Sequence, residues 1–391
     1  MRYNFKKLFT LLLFFTVLII SSGSQKIKKN KKYNVMVLLK EKKIDDLCFW
    51  KIFSGNGFLV SDPRDGSTVF HFPAKELHVK VKGKYIYLGE KKFLRSQVRI
   101  LPKKGDIFFN GNHYQGSFNI VLNEKKIYLI NCLELEDYVF SVLRSESWPG
   151  WPLEVNKVFS VAIRSYVISK IGEAKKLQLP YHVKNTNIHQ TYNGYKFMVR
   201  NSTLLRKAVN QTKGIFLAYN NEPVVAMFDS CCGGVIPSLI EDGVDFVKAP
   251  YLARDYPCKY CRKCSLYKWK VEYTLSQLEN ILNNKCPHIK NIKSIWVSKK
   301  DKAGLVKEVS IRGRKKTWKI SGDKLYSLLK DVKSFCFSIK KRGKKVFLNG
   351  KGFGHHVGIC QWGVRQMVRE FWDYKRILKF YYPGTSFVCL S

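Results

Sequence analysis

The hydrophobic pattern of this chain changes period once, and that change limits the fold more than any other feature. Val79 and Val81 alternate with Lys80 and Lys82, Gly83 breaks the run, and Tyr85 and Tyr87 resume it. Phe118, Ile120 and Leu122 repeat the pattern before Asn123–Lys126. A period of two gives strands with one buried face, joined as hairpins. Between Glu134 and Ile171 the period becomes helical: Tyr138 and Leu143, then Val155, Val158, Ala162 and Tyr166, fall on a common face. Trp148-Pro149-Gly150 divides this stretch into two helices, with Pro152 where the second begins. The expected class is mixed α+β, with a β-rich region over 24–133 and an α/β core over 134–391. Within the core, residues 171–268 read as β and loop. Residues 271–337 read as a small α/β insertion with helices near Leu275–Leu282 and Gly322–Leu329.

The N-terminus sets the compartment. Arg2, Lys6 and Lys7 precede an apolar run from Leu8 to Ile20, and Ser21, Ser22, Gly23 and Ser24 follow. That is the order of a secretory signal over 1–23. An uncleaved signal anchor is the alternative and would supply the membrane attachment, since no later stretch reaches the roughly 18 apolar residues of a span. The expectation is an exported protein of the periplasm or cell envelope. Lys+Arg number 70 against 29 Asp+Glu, a formal net charge of +41. Such a charge suits an anionic partner, although a lysine-rich composition alone produces it too. Export argues against nucleic acid as that partner.

Five of the eleven cysteines crowd into two short runs, Cys231-Cys232-Gly-Gly and Cys258-x-x-Cys261-x-x-Cys264. C-x-x-C spacing presents two sulfurs to one zinc ion. An oxidising compartment instead makes disulfides the first expectation, with zinc the alternative. Cys48, Cys132, Cys286, Cys336, Cys360 and Cys389 are scattered and read mostly as buried hydrophobes.

The densest polar motif is LNGKGFGHHVGICQWG over 348–363. Its glycines let the backbone pass close to itself or to a ligand, while His355, His356 and Gln361 supply polar groups. It is not a phosphate loop, because no Lys-Ser/Thr pair or βαβ unit follows.

These blocks together resemble the stage II sporulation protein D / amidase-enhancer (SpoIID/LytB) family of bacterial envelope proteins. GKGFGHHVGICQWGV is similar to the family's G-x-G-x-G-H-G-V-G-M-S-Q-W-G-A, and Phe380-Tyr381-Tyr382-Pro383-Gly384-Thr385 to its terminal Y-Y-P-G-T. Leu135-Glu136-Asp137-Tyr138 through Glu146, Trp148 and Pro149, then Glu154–Tyr166, resembles the block L-E-x-Y-L-x-G-V-V-x-x-E-M-P followed by P-E-A-L-K-A-Q-A-V-A-A-R-S-Y. Gln190-x-Tyr192-x-Gly194, and Ser230-Cys231-Cys232-Gly233-Gly234 before Pro250-Tyr251-Leu252, resemble two further blocks. The matches frame nearly all of 130–388. Departures are Asn156 for Leu, Phe159 for Gln, His356 for Gly and Cys360 for Ser.

The resemblance implies a lytic transglycosylase that cleaves between N-acetylmuramic acid and N-acetylglucosamine in peptidoglycan strands stripped of peptide. It places the catalytic acid at Glu146 and implies no required cofactor. A protonated carboxyl there donates to the leaving oxygen, and the resulting carboxylate accepts the proton of the attacking muramyl C6 hydroxyl. Arg164, Gln190, Tyr192, Ser230, His355 and Gln361 are the expected substrate-binding residues. Tyr192 and Trp362 offer flat faces to sugar rings. Other members of the family are non-catalytic amidase enhancers, so glycan strands and a cell-wall amidase are the expected partners. Some relatives carry a His/Cys zinc site just before the Gln-x-Tyr block; here that stretch holds His182 and His189 but no Cys, so any metal is expected at Cys231, Cys232, Cys258, Cys261 and Cys264 instead.

Overall fold

A computed structural model describes residues 33–44, 49–64, 66–123, 125–148, 150–195 and 202–390. The secretory-signal expectation and Cys48 lie outside the described residues. Among the described residues no helix is long and apolar enough to cross a membrane.

The alternating segments form two sheets. One runs in the order Val183–Lys184, Asn34–Lys43, Lys126–Glu134, Ser117–Asn123, Gln97–Pro102, Phe58–Ser61 and Thr68–Phe72. The other runs Asn112–Tyr114, Ile107–Phe109, Phe49–Phe53, Glu76–Lys82, Tyr85–Leu88 and Lys91–Phe93. Alternation does what it predicts: Val79 and Val81 are buried while Lys80 and Lys82 are exposed, and Glu76–Lys82 pairs antiparallel with Tyr85–Leu88 across Gly83. Ile52, Val79 and Ile86 of one sheet share a core with Val60, Ile100 and Phe118 of the other, and burying each such side chain contributes about 1.5–3 kcal/mol.

The strand Lys126–Glu134 runs directly into α1 (Leu135–Glu146). α2 (Leu153–Lys176) follows and buries Val155, Val158, Ala162 and Tyr166 of the predicted face, with Phe159 beside them. Asn156 fastens the turn between them: its Nδ2 donates to the Trp151 and Pro152 carbonyls, and its Oδ1 accepts from the Ser147 hydroxyl. A third helix, α3 (Ser202–Gln211), lies where β and loop were expected.

Residues from Lys268 to Lys351 build two three-stranded sheets with α4 (Leu275–Asn283) and α5 (Gly322–Leu328). They carry a second apolar core that extends from Trp269 to Leu348, beyond both ends of the expected insertion. α4 begins with a capping box between Thr274 and Gln277. Two further helices follow, α6 (Gln361–Arg369) and α7 (Tyr374–Tyr381), before a strand, Ser386–Cys389, that pairs with Ile215–Tyr219. Just before α6, Ile359–Cys360 pairs in parallel with Phe228–Asp229, which brings the glycine-rich motif beside the Ser230-Cys-Cys-Gly-Gly block.

Candidate functional site

A cleft of about 430 Å³ opens where the end of α1 meets that two-strand pairing. It is lined by Ser145, Glu146, Ser147 and Trp148 on one side and by Asp229, Ser230, Phe353, His355 and Gln361 on the other. Glu146 is the last residue of α1 and half-buried. Its Oε1 accepts a 2.7 Å hydrogen bond from the Thr191 backbone N–H, and its backbone carbonyl accepts from Gln361 Nε2 at 3.2 Å. The residue is therefore held from two sides, its carboxyl by a loop and its backbone by the start of α6.

His355 uses both ring nitrogens. Nδ1 accepts from Val357 N, so Nε2 carries the proton and donates to the Phe228 carbonyl at 3.0 Å. Burial keeps its pKa below the ordinary value, which leaves the ring neutral. Asp229 brings a second carboxyl that the sequence motifs did not single out. Its Oδ2 accepts from His356 N at 2.7 Å, and burial pushes it well above the usual carboxylate range. Gly354 crosses close over it: a Cβ at Gly354 would lie 2.4 Å from Asp229 Cβ, and its φ of 128° is open to glycine. His356 holds φ 69°, a left-handed conformation that accounts for the family's Gly at this position. Its Nδ1 bonds the Cys232 carbonyl at 2.9 Å.

The expected residues divide. Glu146, Ser230, His355 and Gln361 line one cleft. Arg164, Gln190 and Tyr192, expected to bind substrate, do not line it. Arg164 has no solvent exposure; its Nε and Nη2 hold the Glu136 carboxylate in a two-point pair and its Nη1 donates to the Ser160 and Ile215 carbonyls. Tyr192 is buried against Tyr138 and its hydroxyl donates to Asn131; burial pushes it well above its ordinary pKa. Gln190 is buried and accepts from the Tyr138 hydroxyl at 3.0 Å. The two flank Thr191, so the block serves to hold the N–H that reaches Glu146. The exposed aromatic surfaces at the cleft are instead Trp148, 46% exposed, and Phe353, 38% exposed. Trp148 stacks on Trp151 and leans on Trp362.

His182 and His189 do not form a metal site. Each spends Nδ1 on a backbone N–H, of Met36 and of Lys184 respectively.

The cysteines assemble differently from either expectation. Every described cysteine is a free thiol, so the disulfides expected on compartment grounds are absent among the described residues. The Sγ atoms of Cys232, Cys258, Cys261 and Cys360 all lie within 4.8 Å of one another and are buried, a group able to hold a metal ion. Cys231 and Cys264 stand outside that quartet, and the hydrogen bond from Cys231 holds the Cys264 thiol below its ordinary pKa. Cys360, isolated in sequence from the other three, completes the quartet because its strand pairs with Phe228–Asp229, two residues short of the Cys231-Cys232 pair.

Fold and cleft together define a mixed α+β protein in which one helix-end glutamate opens onto a polar groove walled by aromatics. The chain belongs to the stage II sporulation protein D family. The family's sequence model, described as stage II sporulation protein, matches residues 123–219, and a second model, a domain of unknown function (DUF8618), matches 258–358. An uncharacterized protein of Brachyspira hyodysenteriae is 34% identical over 279 residues, 71% of this chain and 73% of that one. Stage II sporulation protein D of Bacillus subtilis is 26% identical over 65% of this chain and 74% of its own length. The amidase enhancer of the same organism is 27% identical over 63% of this chain but only 39% of its own length.

Proposed function

We propose that the protein is an exported peptidoglycan lytic transglycosylase of the cell envelope, forming 1,6-anhydromuramyl ends during cell-wall remodelling. The observation that carries this reading is the placement of Glu146 at the cleft, held through Oε1 by Thr191 N–H and through its carbonyl by Gln361. A single carboxyl suffices for the reaction. Protonated, Glu146 gives its proton to the leaving glycosidic oxygen as the bond to the muramyl anomeric carbon breaks. As carboxylate, it takes the proton of the C6 hydroxyl as that oxygen closes on the anomeric carbon, and no water is consumed. Trp148 and Phe353 offer apolar faces to the sugar rings, while Ser230 and Gln361 offer hydrogen bonds to hydroxyl and acetamido groups. The +41 charge favours retention of strands bearing a carboxylate on each muramic acid.

Peptide-stripped glycan strands incubated with the protein should yield 1,6-anhydromuramyl ends by mass spectrometry. Glu146→Gln should lower that yield by about 10²–10⁴, because the amide keeps the shape but transfers no proton, with the melting temperature nearly unchanged. Wild-type turnover by Glu146→Gln removes Glu146 as the acid. The similarity to an amidase enhancer favours a second reading, a glycan-binding stimulator of a cell-wall amidase. It prevails if neither protein cleaves while both bind glycan and accelerate the amidase.

A further inference from the structure

We propose that Cys232, Cys258, Cys261 and Cys360 bind one zinc ion, and that this ion locks together the cleft wall carrying Ser230, His355 and Gln361. Four Zn–S bonds of about 2.3 Å in a tetrahedron set the sulfurs roughly 3.8 Å apart. Cys232 Sγ and Cys261 Sγ are 3.7 Å apart, and the four sulfurs fall within 4.8 Å of one another with no competing carboxylate or imidazole in the group. A set of four sulfurs converging on one point matches a closed structural zinc site rather than a catalytic one, which keeps a position open.

The surroundings are those of a thiolate site. Cys360 Sγ accepts two backbone N–H bonds, from Cys232 at 3.3 Å and Gly363 at 3.4 Å, and sits at the N-terminus of α6. The Tyr381 hydroxyl lies 3.2 Å from Cys258 Sγ. Such outer contacts orient metal-bound sulfurs. The space is built tightly around them: a Cβ at Gly363 would meet Tyr381 Oη at 2.2 Å and Cys258 Sγ at 2.8 Å. The buried guanidinium of Arg254 lies 5.7 Å from the centre of the Tyr381 ring, and its Nε and Nη2 have no hydrogen-bond partner among the described residues. Four thiolates around one Zn²⁺ leave two negative charges, and Arg254 brings a buried cation to the ring whose hydroxyl meets Cys258. On binding, each thiol releases its proton to solvent.

The ligands come from three separate segments. Cys232 lies two residues after Ser230, and its carbonyl holds His356. Cys360 precedes Gln361, whose side chain holds the end of α1 at Glu146. The Cys258-x-x-Cys261 turn joins them from just before the inserted region. One ion thus fixes both strands of the cleft's far wall. It also gives the departure from the family's Ser at 360 a purpose, since a hydroxyl would be a poor fourth ligand.

The test is metal content of the intact protein purified without chelator. About one zinc per chain is expected by elemental analysis, released when a mercurial titrates the thiols, and the cobalt-substituted protein should show the intense visible bands of tetrahedral thiolate coordination. Cys360→Ser and Cys232→Ser should each lower bound zinc several-fold, while Cys264→Ser and Cys336→Ser keep it. Because a ligand variant can simply fail to fold, the cobalt spectrum of wild type stands as the independent reading. Less than a tenth of an equivalent of metal, disulfides joining these cysteines in unreduced mass maps, or iron in place of zinc would overturn the proposal. Loss of zinc from Cys264→Ser with retention in Cys360→Ser would move the site to the sequential C-x-x-C-x-x-C run and overturn this ligand set. None of these readings depends on glycan cleavage.

Discussion

Arg164 and Glu146 show how far a residue's chemistry can be read before its neighbours are known. Both sit in blocks that resemble the family's as charged side chains on helices, and nothing in the local sequence separates them. The structure does: Glu146 closes α1 at a cleft, while Arg164 is sealed inside, pinned to Glu136 by two nitrogens. Arg164→Ala would leave Glu136 without its partner and should cost about 3–5 kcal/mol, the usual cost of breaking a buried pair. Urea denaturation measures it. A variant with wild-type stability and weakened glycan affinity would return Arg164 to the substrate. Tyr192 is a similar case: an aromatic beside a polar residue reads as a sugar platform, whereas its ring is buried and its hydroxyl donates to Asn131. Asp229 escaped notice because it precedes a block whose cysteines and glycines carry the stronger pattern; only the pairing of Phe228–Asp229 with Ile359–Cys360 exposes its place.

At the scale of elements, the hairpins, α1, α2, α4 and α5 were legible because each has a clean period or a breaker at its edge. α6 was not, and its cap explains why. Cys360 caps it through Sγ, which accepts from Gly363 N, and a thiol is not among the side chains that normally announce a helix start. α7 carries an ordinary signal, Asp373 accepting from Arg376 N, hidden behind the stronger terminal motif. The turn between α1 and α2 depends on Asn156, which replaces the family's Leu. Asn156→Leu removes the bonds to Ser147, Trp151 and Pro152 and leaves buried partners unsatisfied, so it should lower stability by about 1–3 kcal/mol. Thermal unfolding checks this. Because Ser147 follows Glu146 directly, product formation should fall as well; unchanged values in both assays would make the three bonds dispensable.

For the whole molecule, pH tests how the β-rich part is tied to the helical part. His182 joins the segment after α2 to the strand Asn34–Lys43: its Nδ1 accepts from Met36 N and its own N–H donates to the Met36 carbonyl. Burial lowers its pKa from 6.5 to about 4, so protonation favours the unfolded chain. The associated stability is present in full above about pH 6.5 and is lost as pH falls toward 4, amounting to roughly 3 kcal/mol at 1.36 per unit. Urea midpoints of wild type and His182→Gln between about pH 7 and 4.5 should converge as the solution is acidified; parallel curves would show that the ring's titration is not linked to folding. The second core also has a consequence for how such proteins diversify. Residues 269–348 pack around their own apolar interior, and the chain enters and leaves them beside the cysteine quartet, at Cys261 and Cys360. Closing a segment of roughly 100 residues costs little more entropy than closing a shorter one, so with the proposed zinc bound the quartet would act as a socket. What is plugged into it can be lengthened, trimmed or exchanged while the groove beside it keeps its shape.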